Sequence, residues 1–234
     1  MDLGLNGKIA MITGGSNGLG KHIAYALARE GCHVSICARG KQRLDTTETE
    51  LKTLGVKVLT SVADVTVERD AESFYNRTVS KLGAPDILVN NVGGRRGSTK
   101  IEETTMETFM DGLNVNLISA VRLMNLVLSD MRKNRWGRII NIASVYGREY
   151  GGSSDYMTGK AGLIAFSKHI ALQLVSENVL VNCIAPGSID FSGSVWERFR
   201  ENNTPDVVND FISRNLPSGK FGWPEPIGDT VAFL

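Results

Sequence analysis

Near its N-terminus the chain reads Ile9-Ala10-Met11-Ile12-Thr13-Gly14-Gly15-Ser16-Asn17-Gly18-Leu19-Gly20. The first five residues form an apolar run of strand length, and apolar residues then recur at three- and four-residue intervals over 19–30, which is typical of a helix. A glycine-rich turn at this junction lets backbone N–H groups approach a phosphate, and the helix N-terminus adds partial positive charge. Its glycines at 14, 18 and 20 differ from the G-x-G-x-x-G fingerprint. The stretch predicts a nucleotide-binding turn, and a tight connection without a ligand is the alternative.

The alternation of strand and helix continues along the chain. Strands are predicted at 9–13, 33–39, 56–63, 87–92, 138–144 and 179–185, and helices at 19–30, 41–54, 67–82, 106–134 and 155–177. Gly31, Gly55 and Gly83 are predicted to end three of these helices. Repeated strand–helix–strand units build a parallel sheet covered on both faces. We therefore expect an α/β fold with a doubly wound, mostly parallel sheet (Rossmann fold) in a single domain spanning 1–234.

Composition argues against several classes of protein. The 234 residues suit one α/β domain, and 26 Lys and Arg nearly balance 25 Asp and Glu, so no nucleic-acid partner is expected. The three cysteines and three histidines show no metal-ligand spacing, which predicts no metal site. No apolar run approaches the length of a signal sequence or a membrane span. We expect a soluble, cytoplasmic protein with no membrane partner.

Tyr156 and Lys160 are four residues apart in a predicted helix, so both side chains share one face. A cation near a phenol favours the phenolate and lowers the pKa of the tyrosine. The pair is therefore a candidate proton donor and its regulator, although the spacing alone also arises by chance.

Six further motifs follow the glycine-rich turn. They are Asp64-Val65, Asn90-Asn91-Val92-Gly93, Asn114-Val115-Asn116-Leu117, Ile142-Ala143-Ser144, Tyr156-Met157-Thr158-Gly159-Lys160 and Pro186-Gly187. Together with T-G-x-x-x-G-x-G at 13–20, they resemble the short-chain dehydrogenase/reductase family in order and over nearly the whole chain.

The resemblance implies a catalytic set of Asn116, Ser144, Tyr156 and Lys160. Reduction of a carbonyl needs a hydride donor, a proton donor and polarisation of the oxygen. By resemblance, Tyr156 donates the proton, Ser144 binds the substrate oxygen, and Lys160 lowers the tyrosine pKa and holds the nicotinamide ribose. Asn116 supports a water relay, and a local hydrogen-bonding role is its alternative. The implied cofactor contacts are Gly14, Ser16, Asn17, Gly18, Leu19, Gly20, Arg39, Asp64, Val65, Asn91, Gly93, Tyr156, Lys160, Pro186, Gly187 and Ile189.

The end of the second predicted strand indicates the cofactor. Enzymes that prefer NAD place a carboxylate there, whereas an arginine accommodates the 2′-phosphate of NADP. This chain has Arg39, with Ser16 and Asn17 as expected polar neighbours. NADP(H) is the predicted cofactor, and a solvated loop arginine is the alternative.

Two features depart from the family pattern. Phe191 stands where the family commonly has a threonine that contacts the nicotinamide amide, and the sequence stops before the family's seventh strand, which suggests a truncated C-terminus. The segment 192–217 is expected to form a substrate lid of one or two short helices inserted after the sixth strand. Arg95 and Arg96, in the loop after the fourth strand, are candidates for binding an anionic substrate or carrier, and a solvated loop is the alternative.

These observations predict an NADP-dependent oxidoreductase that transfers a hydride between nicotinamide and a small-molecule carbonyl or secondary alcohol. The run from Tyr156 to Gly162 is similar to that of 3-oxoacyl-carrier-protein reductases, so an acyl thioester is one candidate substrate. The resemblance also implies a homo-oligomer, a tetramer or a dimer. The alternative is a dinucleotide-binding sensor or scaffold without turnover.

Overall fold

The computed structural model describes residues 2–234, within which six strands form one sheet. The strands are β1 (Ile9–Thr13), β2 (His33–Ala38), β3 (Val58–Val62), β4 (Ile87–Asn90), β5 (Gly137–Ile142) and β6 (Val179–Ile184). All neighbouring pairs are parallel, in the order β3-β2-β1-β4-β5-β6. The predicted doubly wound α/β fold is confirmed.

Helices cover both faces of the sheet. They are α1 (Gly18–Arg29), α2 (Lys41–Lys52), α3 (Glu68–Lys81), α4 (Met106–Leu113), α5 (Ser119–Asn134), α6 (Ser154–Leu174), α7 (Val195–Glu201), α8 (Pro205–Asn215) and α9 (Glu225–Phe233). Successive residues of β1 face opposite sides, so that Ile12 packs into the core beneath α1 while Met11 packs into the core beneath α3 and α5. Both strand faces are therefore buried, as their apolar runs predict.

Most element boundaries lie within one or two residues of the predicted ones. Gly31, Gly55 and Gly83 all have positive φ, at 85°, 78° and 116°, which confirms their predicted role at helix ends. The fourth strand is shorter than the predicted 87–92, because the N–H groups of Asn91 and Val92 both donate to Thr13 Oγ1 at 2.9 and 3.0 Å. The chain thus leaves the sheet at Asn90 and turns towards β1.

The predicted helix over 106–134 is confirmed as one continuous helix, but it is not α-helical throughout. A π-helical turn, Asn114–Ile118, joins α4 directly to α5. Such wider turns inside helices occur frequently at functional sites. Here the turn contains Asn116, which is 1% exposed.

The segment 192–217 contains α7 and α8, in agreement with the expected short helices. By length and composition alone, Met106–Asn134 is apolar enough to cross a membrane, and 44% of its most apolar window is buried in the fold. Core helices of soluble proteins meet the same criterion, so this is weak evidence for a membrane span.

Candidate active site

The strand order reverses between β1 and β4, and β5 lies next to β4. The carboxyl ends of these three strands are therefore at the same edge of the sheet. In open α/β sheets, ligands bind in the crevice at this point. A cleft of about 340 Å³ lies here and is lined by Asn91, Ser144, Tyr156, Lys160 and Gly187, among others. The structure therefore brings together residues predicted from four separate motifs.

Ser144, Tyr156 and Lys160 approach one another across β5 and α6. Ser144 lies just beyond β5, where its hydroxyl accepts a hydrogen bond from the N–H of Tyr146 at 3.2 Å. Lys160 is 3% exposed, and its ammonium donates to the carbonyl oxygen of Ile142 at 2.7 Å. The Lys160 Nζ atom is 5.8 Å from the centre of the Tyr156 ring. The one-face arrangement predicted from the four-residue spacing is present.

The electrostatics of this pair differ from the expectation. Burial raises the pKa of Tyr156, and the nearby hydroxyl of Ser144 opposes that rise without cancelling it. Burial also lowers the pKa of Lys160 to about 8. The ammonium points to the carbonyl of Ile142 and not to the phenol, so the predicted lowering of the tyrosine pKa by Lys160 is not seen in this structure.

Asn116 binds the loop that follows β4. Its Nδ2 donates to the carbonyls of Gly94 and Gly112 at 2.9 and 2.8 Å, and its Oδ1 accepts from the N–H of Gly94 at 2.9 Å. A Cβ added at Gly93 would lie 2.7 Å from Lys160 Nζ and 2.9 Å from Asn116 Oδ1. Gly93 thus lets the loop lie directly against two members of the predicted catalytic set. One contact of Asn116 is local, to Gly112 on α4, and two reach Gly94 in the loop.

The glycine-rich turn has the tight geometry that the sequence predicts. Gly14 and Gly18 have φ of 66° and 52°, a region that glycine adopts readily. A Cβ at Gly20 would lie 2.3 Å from the carbonyl oxygen of Gly14. The backbone at the start of α1 is therefore closely packed against the turn, and only a glycine fits at position 20.

Asn17 lies away from the position expected for it. Its Nδ2 donates to the carbonyl of Ser192 at 3.0 Å, so it contacts the segment before α7 and not Arg39. Phe191 also lies over the turn, since a Cβ at Gly18 would be 2.4 Å from its ring. Both Asn17 and Leu19 line the cleft, together with Pro186, Gly187 and Ile189.

A second hollow, of about 260 Å³, lies beyond β2 and β3 and is lined by Gly14, Arg39, Asp64, Val65 and Asn91, among others. The Arg39 side chain is 74% exposed, and its Nη1 is 3.9 Å from Asp64 Oδ2. Burial acts to raise the pKa of Asp64, but hydrogen bonds from Thr66 and the nearby guanidiniums outweigh it and lower that pKa. The predicted cofactor residues at the ends of β2 and β3 therefore share one hollow.

Arg95 and Arg96 line different hollows. The Arg96 Nε atom lies 2.7 Å from Asp111 Oδ2, and Arg96 lines the hollow of Arg39 and Asp64. Arg95 lines a different hollow, which it shares with Ser144 and Tyr156. The two guanidiniums therefore line different hollows, and whether either binds an anion stays a prediction.

Sequence reasoning missed Asp155. This carboxylate is fully buried and accepts hydrogen bonds from the N–H groups of Arg96 and Gly97 at 3.0 and 3.2 Å. An aspartate in the first turn of a helix is also favoured by the helix dipole, so its position in the sequence gave no sign of this long-range contact. Within residues 2–234, no cluster of His, Cys, Asp and Glu is arranged to hold a metal ion.

The family model of short chain dehydrogenases matches residues 8–203. The chain belongs to this family. A 3-oxoacyl-(acyl-carrier-protein) reductase of Pseudomonas aeruginosa is 36% identical over 233 residues, which are 99% of this chain and 91% of the relative.

Solved structures of short chain dehydrogenases agree with the fold. L-sorbose reductase from Gluconobacter frateurii, complexed with NADPH and L-sorbose, is 32% identical with a TM-score of 0.92, covering 100% of this chain and 91% of that one. An NAD⁺-bound xylitol dehydrogenase is 28% identical with a TM-score of 0.89, covering 98% and 92%. As a member of this family, the protein is an oxidoreductase that acts on CH–OH or carbonyl groups.

Proposed function

We propose that this protein is an NADP(H)-dependent oxidoreductase that interconverts a ketone and a secondary alcohol, with Tyr156 as the proton donor and acceptor. The observation that carries the proposal is the convergence of Ser144, Tyr156 and Lys160 in a cleft that also contains the glycine-rich turn. A nucleotide-binding turn and a proton donor in one cleft are what such a reaction requires.

The cleft fits a dinucleotide at both of its ends. The turn at Gly14 and Gly18 presents the N-terminus of α1 to a pyrophosphate. At the other end, nothing lies within 4 Å of a Cβ placed on Gly187, which leaves space beside Ser144 and Tyr156. When bound, the nicotinamide supplies two electrons as a hydride to the carbonyl carbon or accepts them from the alcohol.

The residues of the chain handle the proton and the oxygen. In reduction, the Tyr156 hydroxyl gives its proton to the carbonyl oxygen while Ser144 donates a hydrogen bond to the same atom. The raised pKa of Tyr156 keeps the phenol protonated, so the proton that reduction requires is present on it. Lys160, close to Gly93, would contact the nicotinamide ribose, and Asn116 holds Gly94 in the adjoining loop.

Arg39 supports NADP(H) over NAD(H). It is an exposed guanidinium at the end of β2, where a 2′-phosphate would lie, and no carboxylate occupies the end of this strand. Asp64 is close by, but it belongs to the segment after β3, and its hydrogen bonds go to the backbone and side chain of Thr66. Arg39 is therefore free to turn from a weak exposed ion pair towards a phosphate.

Exposed apolar side chains support association with further copies of this chain. Met110 on α4, Ile118 in the π-helical turn and Leu172 on α6 are 56%, 44% and 68% exposed. Burial of such side chains against a second copy is favourable. We include a homo-oligomer in the proposal, and light scattering of the purified protein measures it.

The experiment that tests the function is a panel of ketones and secondary alcohols assayed with NADPH or NADP⁺. Tyr156→Phe is expected to lower kcat by at least about 100-fold, the usual contribution of general acid catalysis, while NADPH binding is retained. Tyr150→Phe is the matched control, because Tyr150 is 93% exposed. Full activity of Tyr156→Phe would refute the mechanism, and NADPH binding without turnover of any substrate would favour the sensor.

A further inference from the structure

Arg95 is presented by a loop whose backbone is held on both sides. Before it, the N–H and the carbonyl of Gly94 are both bound by Asn116 at 2.9 Å. After it, the N–H groups of Arg96 and Gly97 donate to the two carboxylate oxygens of buried Asp155. The backbone position of Arg95 is therefore fixed before any ligand binds, which reduces the entropy lost on binding.

The side chain of Arg95 is unpaired, in contrast to its neighbour. Arg96 is bound to Asp111 at 2.7 Å. Arg95 is exposed and makes no hydrogen bond or ion pair with any residue in the range 2–234. Its planar fork of N–H donors matches the geometry of a carboxylate or phosphate.

The hollow beside Arg95 has a volume of about 430 Å³ and reaches Ser144 and Tyr156. Its other walls include three aromatic side chains, those of Tyr146, Trp196 and Phe199.

Trp196 is supported from behind by an aromatic cluster. Its ring lies 6.0, 5.0 and 5.3 Å from the rings of Phe199, Phe211 and Phe221. Aromatic rings at these separations pack favourably and bury a large area. The hollow thus combines a supported apolar wall, one unpaired cation and the reacting groups.

We propose that Arg95 binds an anionic group on the substrate, so that the protein selects a ketone with an apolar body and a carboxylate or phosphate. The apolar body lies against Trp196 and Phe199, and the carbonyl meets Ser144 and Tyr156. This inference rests on the proposed function and adds the class of substrate to it.

The test compares benzoylpropanoate with its methyl ester, which share the aryl ketone and differ in charge. Wild-type protein with NADPH is expected to reduce the acid with the higher kcat/KM. Arg95→Ala is expected to lower kcat/KM for the acid about 10-fold or more, the loss of one charge-assisted hydrogen bond, and to change it less than about 3-fold for the ester. Arg95→Lys restores part of the preference, because it returns the charge without the fork.

Arg69→Ala is the matched control, since Arg69 is exposed on α3 and lines none of the hollows at the cleft. Equal kcat/KM changes for acid and ester in Arg95→Ala, or no preference for the acid in wild-type protein, would overturn the inference. The proposed function does not depend on those two results. It still holds if wild-type protein reduces the ester and Tyr156→Phe does not. Reduction of neither probe would overturn the substrate class, and the wider ketone panel then decides the function separately.

Discussion

Lys160→Met tests whether burial of the charged ammonium of Lys160 lowers the stability of the folded protein. Burial lowers the pKa of Lys160 from 10.5 to about 8. One pKa unit corresponds to about 1.4 kcal/mol, so the difference between 10.5 and 8 gives a cost of about 3 kcal/mol for holding the charged form in the folded protein. Because the side chain is 3% exposed, solvent screening reduces this value little.

The sign of the effect follows from proton binding. Below about pH 8 the lysine is protonated in both folded and unfolded protein, and the full cost is present. Between about pH 8 and 10.5 the folded protein has lost the proton while the unfolded chain still holds it, so this contribution to stability rises with pH. From about pH 7 to about pH 10, the free energy of unfolding of wild type minus that of Lys160→Met should rise by about 2 to 3 kcal/mol.

Urea unfolding of the two proteins without cofactor, at several pH values, measures this difference. Burial raises the pKa of Cys32 and Cys37 to about 12, which gives a falling stability at high pH, but that slope is common to both proteins and cancels. Lys168→Met is the matched control, because Lys168 is an exposed lysine on the same helix, α6. A difference between wild type and Lys160→Met that stays constant with pH would refute the reasoning.

Three further predictions concern the turn, the loop and the cofactor. Gly20→Ala places a Cβ 2.3 Å from the carbonyl oxygen of Gly14, so we expect a loss of about 1 to 3 kcal/mol in unfolding free energy and weaker NADPH binding. Urea unfolding and cofactor titration measure these two effects. Gly40→Ala is the control and should change neither quantity, because no atom lies within 4 Å of its Cβ. Asp155→Ala leaves two N–H groups without acceptors and should lower the unfolding free energy by about 2 kcal/mol or more. Asp155→Asn keeps one acceptor, so its unfolding free energy should fall by less. Equal losses of unfolding free energy in the two variants would contradict this account. Arg39→Ala should raise KM for NADPH about 10-fold or more and leave KM for NADH within about 2-fold of the wild-type value, as measured by steady-state kinetics. An equal rise in KM for both cofactors would exclude a role for Arg39 in phosphate binding.

Much of the site is encoded in local sequence patterns. The helical spacing of Tyr156 and Lys160 is enough to place them on one face, and the positive φ of Gly14 and Gly18 agrees with what a glycine-rich turn predicts. The sequence also predicts the order of strands and helices. Strands that are buried on both faces appear as short continuous apolar runs, which are visible in the sequence. These features depend on residues a few positions apart, so a single sequence is sufficient to predict them.

Other features depend on segments that meet only in the folded chain. The π-helical turn at Asn116 widens a helix whose apolar spacing is continuous, so the sequence gives no sign of it. The hydrogen bonds from Asn116 and Asp155 to the loop after β4 join residues 22 and 59 positions apart. Arg95 and Arg96 are adjacent in the sequence, but in the folded chain they line different hollows. The pKa of Lys160 is likewise set by burial, a property of the packed protein. The sequence alone thus determines the order of strands and helices and predicts the reacting groups. The tertiary structure decides the pKa shifts of Tyr156 and Lys160 and which arginine lies in the hollow with Ser144 and Tyr156, because desolvation and long-range hydrogen bonds exist only after packing.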